Sequence, residues 1–319
     1  MAVPQVPITT ANIAGVLERN FAKVVLIAAS KRKSFIDRIW NVDRADTKTV
    51  RNPVFSAYTT FTSLGDNETI TYDSFQQSYV RVYTVVRYAK GVEVTWEARE
   101  YDLSGLVERV GVRATALTNM AFYTVERDVF DQFNNLAAST TNGATYIYSG
   151  TSYPLVATNH PLDTGGTWSN KFTTPMPLSQ IALESMFTHW GQNQVDLRGN
   201  YAEGFMDLTA RFILSGMANK MRLRRLLGTI NKAPESANHD INPVFAEGDH
   251  LTGIATNWIP SDGRWFAVAP PGQNHLNMLW RVKPEPFKVP DTQNGNLRHV
   301  VHYAFTSGAD SPLGTFGSV

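Results

Sequence analysis

Between Tyr101 and Ser139 apolar residues return at every third or fourth position, and no proline interrupts them. Leu103, Val107, Val110, Ala114, Leu117, Ala121, Val125, Val129, Phe133 and Leu136 keep one stripe of an α-helix apolar throughout. Asp102 or Ser104 can cap its start, and Glu108 places a negative charge near the positive end of the dipole. Gly105 and Gly111 weaken only the first turns. At 1.5 Å per residue the helix, 103–137, would run roughly 50 Å. A compact globule of this chain length has about that diameter. Such a helix is a strut, and the rest of the subunit must be elongated around it.

The flanking sequence is β-rich before the strut and mixed after it. Asn52–Trp96 alternates Thr, Tyr, Val and Phe: Phe55, Tyr58 and Phe61 precede Gly65-Asp66-Asn67, and Ile70, Tyr72 and Phe75 follow. Val80 and Val82 repeat the pattern, with Arg81 and Tyr83 on the other face. The turn signal in the middle makes this a long β-hairpin. Two strands alone are marginal in water, so the hairpin needs a surface to lie on, its own body or a neighbour's. Thr10 can cap a helix carrying Ile13, Val16, Leu17, Phe21, Val24 and Val25, whereas Asp37–Arg51 lacks periodicity and reads as an irregular arm.

Beyond the strut, Thr140–Asn170 is loop-rich with short strands such as Tyr146–Tyr148. A second helix spans Pro177–Trp190, capped by Ser179 and stopped by Gly191. A third spans about Ser215 to Leu227, with Met217, Met221 and Leu227 inward. Trp258–Phe287 alternates short strands with Pro/Gly turns, and Lys283-Pro284-Glu285-Pro286 must be extended. Leu297–Phe305 is a strand, and Thr306–Val319 is a small-residue tail. Strands on both sides of the helices argue for an α+β fold in one intertwined body.

Charge is uneven although the net is +1. Residues 1–51 hold nine Lys/Arg and four Asp/Glu, or +5, leaving 20 basic and 24 acidic residues, or −4, for the rest. A basic arm on an acidic body suits polyanion contact or a solvated helix beside acidic neighbours. Leu208–Pro234 holds no acid against Arg211, Lys220, Arg222, Arg224, Arg225 and Lys232. Cations in the last turns of a helix suit its dipole. The absence of cysteine excludes disulfides, thiolate metal sites and a cysteine nucleophile, and fits folding in a reducing interior. Nothing near the N-terminus reads as a signal peptide, since Arg19 and Lys23 interrupt the apolar run, and no run could span a bilayer.

No catalytic constellation emerges. His160, His189, His239, His250, His275, His299 and His302 lie in unlike contexts without metal-ligand spacing. No nucleophile elbow, no phosphate-cradling glycine loop and no RNA-binding pattern is present. No enzymatic activity, cofactor or metal is expected.

The order of elements resembles the major capsid (coat) protein of tailed bacteriophages. Tyr88–Leu103, reading YAKGVEVTWEAREYDL, is similar to that family's entry into its long spine helix. Thr158-Asn159-His160-Pro161, then Gly165-Gly166 and Trp168-Ser169-Asn170, resembles the loop that follows the spine. Trp265–Pro270 and a strand ending in Trp280 resemble its return from an axial to a peripheral domain. One departure is that Ala210 and Ser215 stand where many members carry a proline-marked strand before the third helix.

The resemblance implies an N-terminal arm (1–52), an extended hairpin loop (53–88), a peripheral domain (89–174 and 281–319) and an axial domain (175–280). It implies a structural protein that self-assembles into pentamers and hexamers of an icosahedral head around phage DNA. The particle would be put together in the bacterial cytoplasm, with portal, scaffolding and decoration proteins as partners and no membrane. Intersubunit contacts would fall to Gly65, Asp66 and Asn67 at the hairpin tip, Arg38, Arg44 and Arg51 in the arm, and Arg222, Arg224 and Arg225 at the axis. Arg32 and Lys33 would face DNA. The rivals are another polymerising virion protein (a tail tube or decoration subunit), a metal-dependent hydrolase, and a DNA-binding protein using the two basic segments.

Overall fold

The computed structural model describes residues 34–56, 77–94, 106–134, 145–200, 208–228, 251–260, 262–288 and 297–319. It also describes residues 21, 23–28, 58, 61, 63, 64, 69, 70, 72, 73 and 244. In chain order the elements are α1 (Ile36–Ile39), β1 (Asn41–Arg44), β2 (Thr49–Phe55), β3 (Gln77–Thr84), β4 (Val86–Val94) and α2 (Leu106–Asn134). There follow β5 (Thr145–Tyr148), β6 (Thr151–Pro154), β7 (His160–Pro161), β8 (Thr167–Trp168) and α3 (Gln180–Asn193). The last third holds β9 (Phe212–Gly216), α4 (Lys220–Gly228), β10 (Thr252–Thr256), β11 (Trp265–Val268), β12 (Leu276–Lys288), β13 (Leu297–Ala309) and β14 (Thr315–Ser318).

The strut forms. α2 has 29 residues, roughly 43 Å of helix at 1.5 Å each. Ala114, Ala121, Val125, Val129 and Phe133 line its buried stripe as the spacing requires, joined by Phe130. Leu103, the caps at Asp102 and Ser104, and Leu136 lie outside the described residues. Residues 23–28 are helical, and Phe21 and Val25 pack with Ala114 of α2 and Val301 of β13.

Two four-stranded sheets are laid against this strut, in the orders β1-β12-β13-β4 and β10-β9-β11-β14. Successive residues of β9 and β11 point to opposite faces of the second sheet, as the pleat demands. Leu214, Phe266 and Val268 join the α2 side, with Val125, Val129, Phe133, Met278 and Phe305. Ile213, Trp265 and Ala267 join the other side, with Leu183, Met186 and Trp190 of α3 and Leu223 of α4. The second sheet is therefore covered on both faces, which is why β11 is buried at every residue.

Several expectations change. Asp37–Arg51 is not irregular: α1 leads into β1, which pairs in parallel with β12, and β2 begins at Thr49. Four-residue elements are too short to show a period, and Trp40, wedged edge-on against Phe130 at 5.0 Å and Phe133 at 5.6 Å, fixes this segment by tertiary contact. Ser179 does cap α3, its hydroxyl accepting from Ala182 N at 3.2 Å, but Gly191 does not stop the helix, which continues to Asn193. Ser215 lies in β9 rather than in the third helix, so a strand forms there without the proline mark. Met217 and Met221 face outward, 40% and 62% exposed, while Leu223 is the buried residue of α4.

The tail is the largest surprise. Residues 310–318 are buried throughout, and β14 closes the second sheet against β11. Segment 281–319 therefore divides between the two sheets. Gly314, at φ +77°, sits where a Cβ would lie 3.0 Å from the Asn274 Cα, a position only glycine fills without displacing backbone.

Candidate functional site

β2 and β3 are antiparallel partners from Thr49↔Thr84 to Phe55↔Gln77, with a bulge between Val54 and Phe55. This is the base of the expected hairpin. The ribbon ends at Thr84, and β4 belongs to the first sheet, paired with β13. Gly65, Asp66 and Asn67, the expected tip, lie outside the described residues, as do Arg32 and Lys33.

Below the bulge the hairpin rests on its own subunit, one of the two surfaces left open by its sequence. Tyr79, Arg81 and Tyr83 share the inward face of β3 and are buried, whereas Val80 and Val82 face out. The Tyr79 hydroxyl donates to Asp310 O at 2.6 Å, and the Tyr83 hydroxyl to Asp310 Oδ1 at 2.6 Å. Asp310 Oδ2 accepts from Asn52 Nδ2 at 3.3 Å and from Asn277 Nδ2. Strands β2, β3 and β12 thus converge on one carboxylate that follows β13. Burial, then the negative charge of Asp310, pushes both phenols well above the ordinary tyrosine range. They act as donors at any physiological pH. The Arg81 guanidinium lies 5.5 Å from the Tyr83 ring centroid, and both press on Gly308, where a Cβ would meet Tyr83 Cε1 at 2.7 Å.

Above the bulge the described large apolar side chains of the same ribbon are exposed. Phe55, Tyr58, Leu64 and Ile70 are exposed, and Phe61 and Tyr72 stand 105% and 91% exposed. So many large apolar side chains exposed on the two arms of one ribbon are suited to an interaction site. Under the hairpin base lies a 190 Å³ cavity lined by Phe55, Tyr146, Trp168, Leu197, His275 and Leu313.

The loop after the spine is pinned by a second buried polar group. His160 is fully buried: Tyr146 Oη donates to its Nδ1 at 3.0 Å, and its Nε2–H donates to Asn170 Oδ1 at 2.8 Å. Asn170 also accepts from Ala157 N at 2.9 Å and donates to Leu155 O at 2.8 Å. Burial lowers the His160 pKa to about 4, against a smaller upward pull from the Asn170 hydrogen bond. This imidazole is a neutral brace rather than an acid–base catalyst. Burial likewise lowers His275, opposed by the charge of Asp310.

The other expected residues fall into two places. Arg38 on α1, Arg44 on β1 and Arg51 on β2 are exposed, and Arg44 meets Asp46 at 3.5 Å on open surface. Arg222, Arg224 and Arg225 are exposed on α4, whose Leu223 packs with Ile213, Trp265 and Ala267 of the second sheet. His239 and His250 lie outside the described residues. Among the described residues no three His, Asp or Glu side chains gather as a metal-binding group. Also among them, no helix is long and apolar enough to cross a membrane. Asp310 was missed: its only sequence signal is a lone acid in a small-residue stretch, and its hairpin partners Asn52 and Tyr83 are 258 and 227 positions away. Asn170 stands in the loop quoted above, but its role as the partner of His160 was not read from it.

The profile of a family described as phage capsid protein matches residues 78–315. Solved structures of similar shape include a virus-like particle from Pyrococcus furiosus, at 9% identity and TM-score 0.54, covering 94% of this chain and 98% of that one. The capsid of Cyanophage P-SCSP1u is 12% identical with a TM-score of 0.51, covering 90% and 88%. The mature capsid of bacteriophage PhiM1 is 11% identical with a TM-score of 0.51, covering 90% and 86%. At these identities the likeness is one of fold. No curated protein sequence matches the chain.

Proposed function

The chain belongs to the phage capsid protein family, as a structural protein of the virion shell, and from that premise we propose that it tiles an icosahedral head as pentamers and hexamers around double-stranded DNA. The observation that carries this reading is the hairpin: locked to its own body below the bulge, it holds an uncovered aromatic row above it. Aromatic rings that the subunit leaves as exposed as Phe61 and Tyr72 are suited to the next copy. Heterologous contacts of that kind, repeated around a closed ring, need no second protein to terminate them.

In this reading the chain is not an enzyme, and its working surfaces are contacts between copies. The segment 53–88 reaches over a neighbour with Gly65, Asp66 and Asn67 at its tip. Arg38, Arg44 and Arg51 meet the adjoining arm, and Arg222, Arg224 and Arg225 meet the next copy near the symmetry axis. Arg32 and Lys33 face packaged DNA, without base readout. The arm (1–52), the peripheral segments (89–174 and 281–319) and the axial segment (175–280) remain the working division, with the tail bridging the last two. Portal, scaffolding and decoration proteins are the expected partners within the head.

Negative-stain microscopy of the expressed chain tests the reading. Closed shells, or rings with five- or sixfold symmetry, are expected. A chain that stays monomeric at every concentration, with and without co-expressed head proteins, would refute it.

A further inference from the structure

One tight turn grips both arms of the hairpin above its bulge. In residues 196–200 the buried Asp196 carboxylate accepts through Oδ1 from Arg198 N at 2.9 Å and Asn200 N at 2.7 Å. Its Oδ2 accepts from Asn200 Nδ2 at 3.1 Å, and Gly199 reverses the chain at φ +88°. So held, the turn presents two side chains to the hairpin. Arg198 Nη1 donates to both oxygens of Asp73, at 3.1 and 3.0 Å, with the two side chains only 13% and 26% exposed. Asn200 Nδ2 donates to Tyr58 O at 3.2 Å. Tyr58 precedes the hairpin tip in sequence and Asp73 follows it, so each arm has its own tether.

The tethers leave the apolar row uncovered, since Phe61 and Tyr72 stand free while both are made. They therefore do not compete with a neighbour for the row. A ribbon fixed only at its base would sweep many directions, and every docking event would have to freeze that freedom. We propose that Arg198 and Asn200 are positioning residues for assembly: with Asp73 they aim the hairpin before a neighbour arrives, and so lower the concentration at which copies associate. The proposal rests on the shell reading above.

The test uses full-length wild type, Arg198→Ala, Asp73→Ala and the reversed pair Asp73→Arg/Arg198→Asp. Light scattering with microscopy gives the critical concentration for assembly, and urea unfolding of the free subunit gives its stability. Each single change is expected to raise the critical concentration about three- to tenfold at low salt. Subunit unfolding should stay put, and the reversed pair should recover most of the loss. In 1 M salt the gap between wild type and the single variants should narrow, because the half-buried pair is then partly screened. An unchanged critical concentration overturns the proposal. A lowered one overturns it too, and would make the clasp a catch to be released. Loss of subunit stability in step with assembly, or no recovery in the reversed pair, would make it merely structural. Failure of wild type to assemble at all would instead strike the shell reading.

Discussion

The two halves of the hairpin are made of similar residues and live in opposite environments. Tyr79 and Tyr83 point their hydroxyls into the subunit and reach Asp310, whereas Tyr58 and Tyr72, on the same ribbon beyond the bulge, stand exposed. The difference teaches where each half finds its partner. A buried phenol must be hydrogen-bonded, and the subunit supplies that acceptor itself. Apolar area is indifferent to direction and can wait for any complementary surface, which under the proposed assembly is that of another copy.

Breaking the lower half should have the largest effect. Asp310→Ala strands the Tyr83 hydroxyl and two amide donors in a buried site, and should cost about 4 kcal/mol of subunit stability in urea unfolding. A loss below about 1 kcal/mol would show that the lock is dispensable.

Breaking the upper half should do the reverse. Phe61→Ser with Tyr72→Ser removes area that the free subunit never buries, so its unfolding should shift by less than about 0.5 kcal/mol. Assembly should weaken by about 3 kcal/mol, or more than 100-fold in critical concentration, if both rings bury fully against a neighbour. Assembly as tight as wild type would leave the exposed row without a role.

The post-spine loop sharpens the contrast by pH. His160 has a folded pKa of about 4, below the unfolded value near 6.5, so the unfolded chain takes up its proton first as pH falls. Its contribution is complete above pH 6.5 and is lost progressively toward pH 4, by up to about 3 kcal/mol. His160→Gln should flatten that part of the stability profile, and an unchanged acid slope would contradict the neutral-brace assignment. The smallest effect concerns covalent linkage. Residues 52–86 contain no lysine, so the hairpin has no amine to form an isopeptide bond with a neighbour; boiled particles should run at the 35.5 kDa monomer mass, and a ladder of multimers would contradict this.

What could be read from the sequence follows from the range of the forces involved. The spine and α3 announce themselves by periodicity and a capping serine, both local signals. The hairpin announces itself by alternation, although alternation did not say that the face carrying Arg81 is the inner one. The tail gave no such signal. Its Gly, Ser and Thr residues are buried because strands distant in sequence surround them, and small residues show no period. Asp310 was invisible for the same reason, since Tyr83 lies 227 positions away. Met217 and Met221 misled because apolar spacing fits an inward stripe equally well when a helix end is in fact left open.

The burial of residues 310–318 also bears on timing. During synthesis the ribbon at 49–84 emerges long before the carboxylate that fastens it, and the second sheet lacks its β14 edge until residues 315–318 are made. Chains grow from the N-terminus at a finite rate, so a nascent subunit passes through a period with its ribbon unfastened. A chain can fasten the base of its ribbon only after Asp310 has been made, and under the proposed assembly it is that fastened ribbon which meets a neighbouring copy.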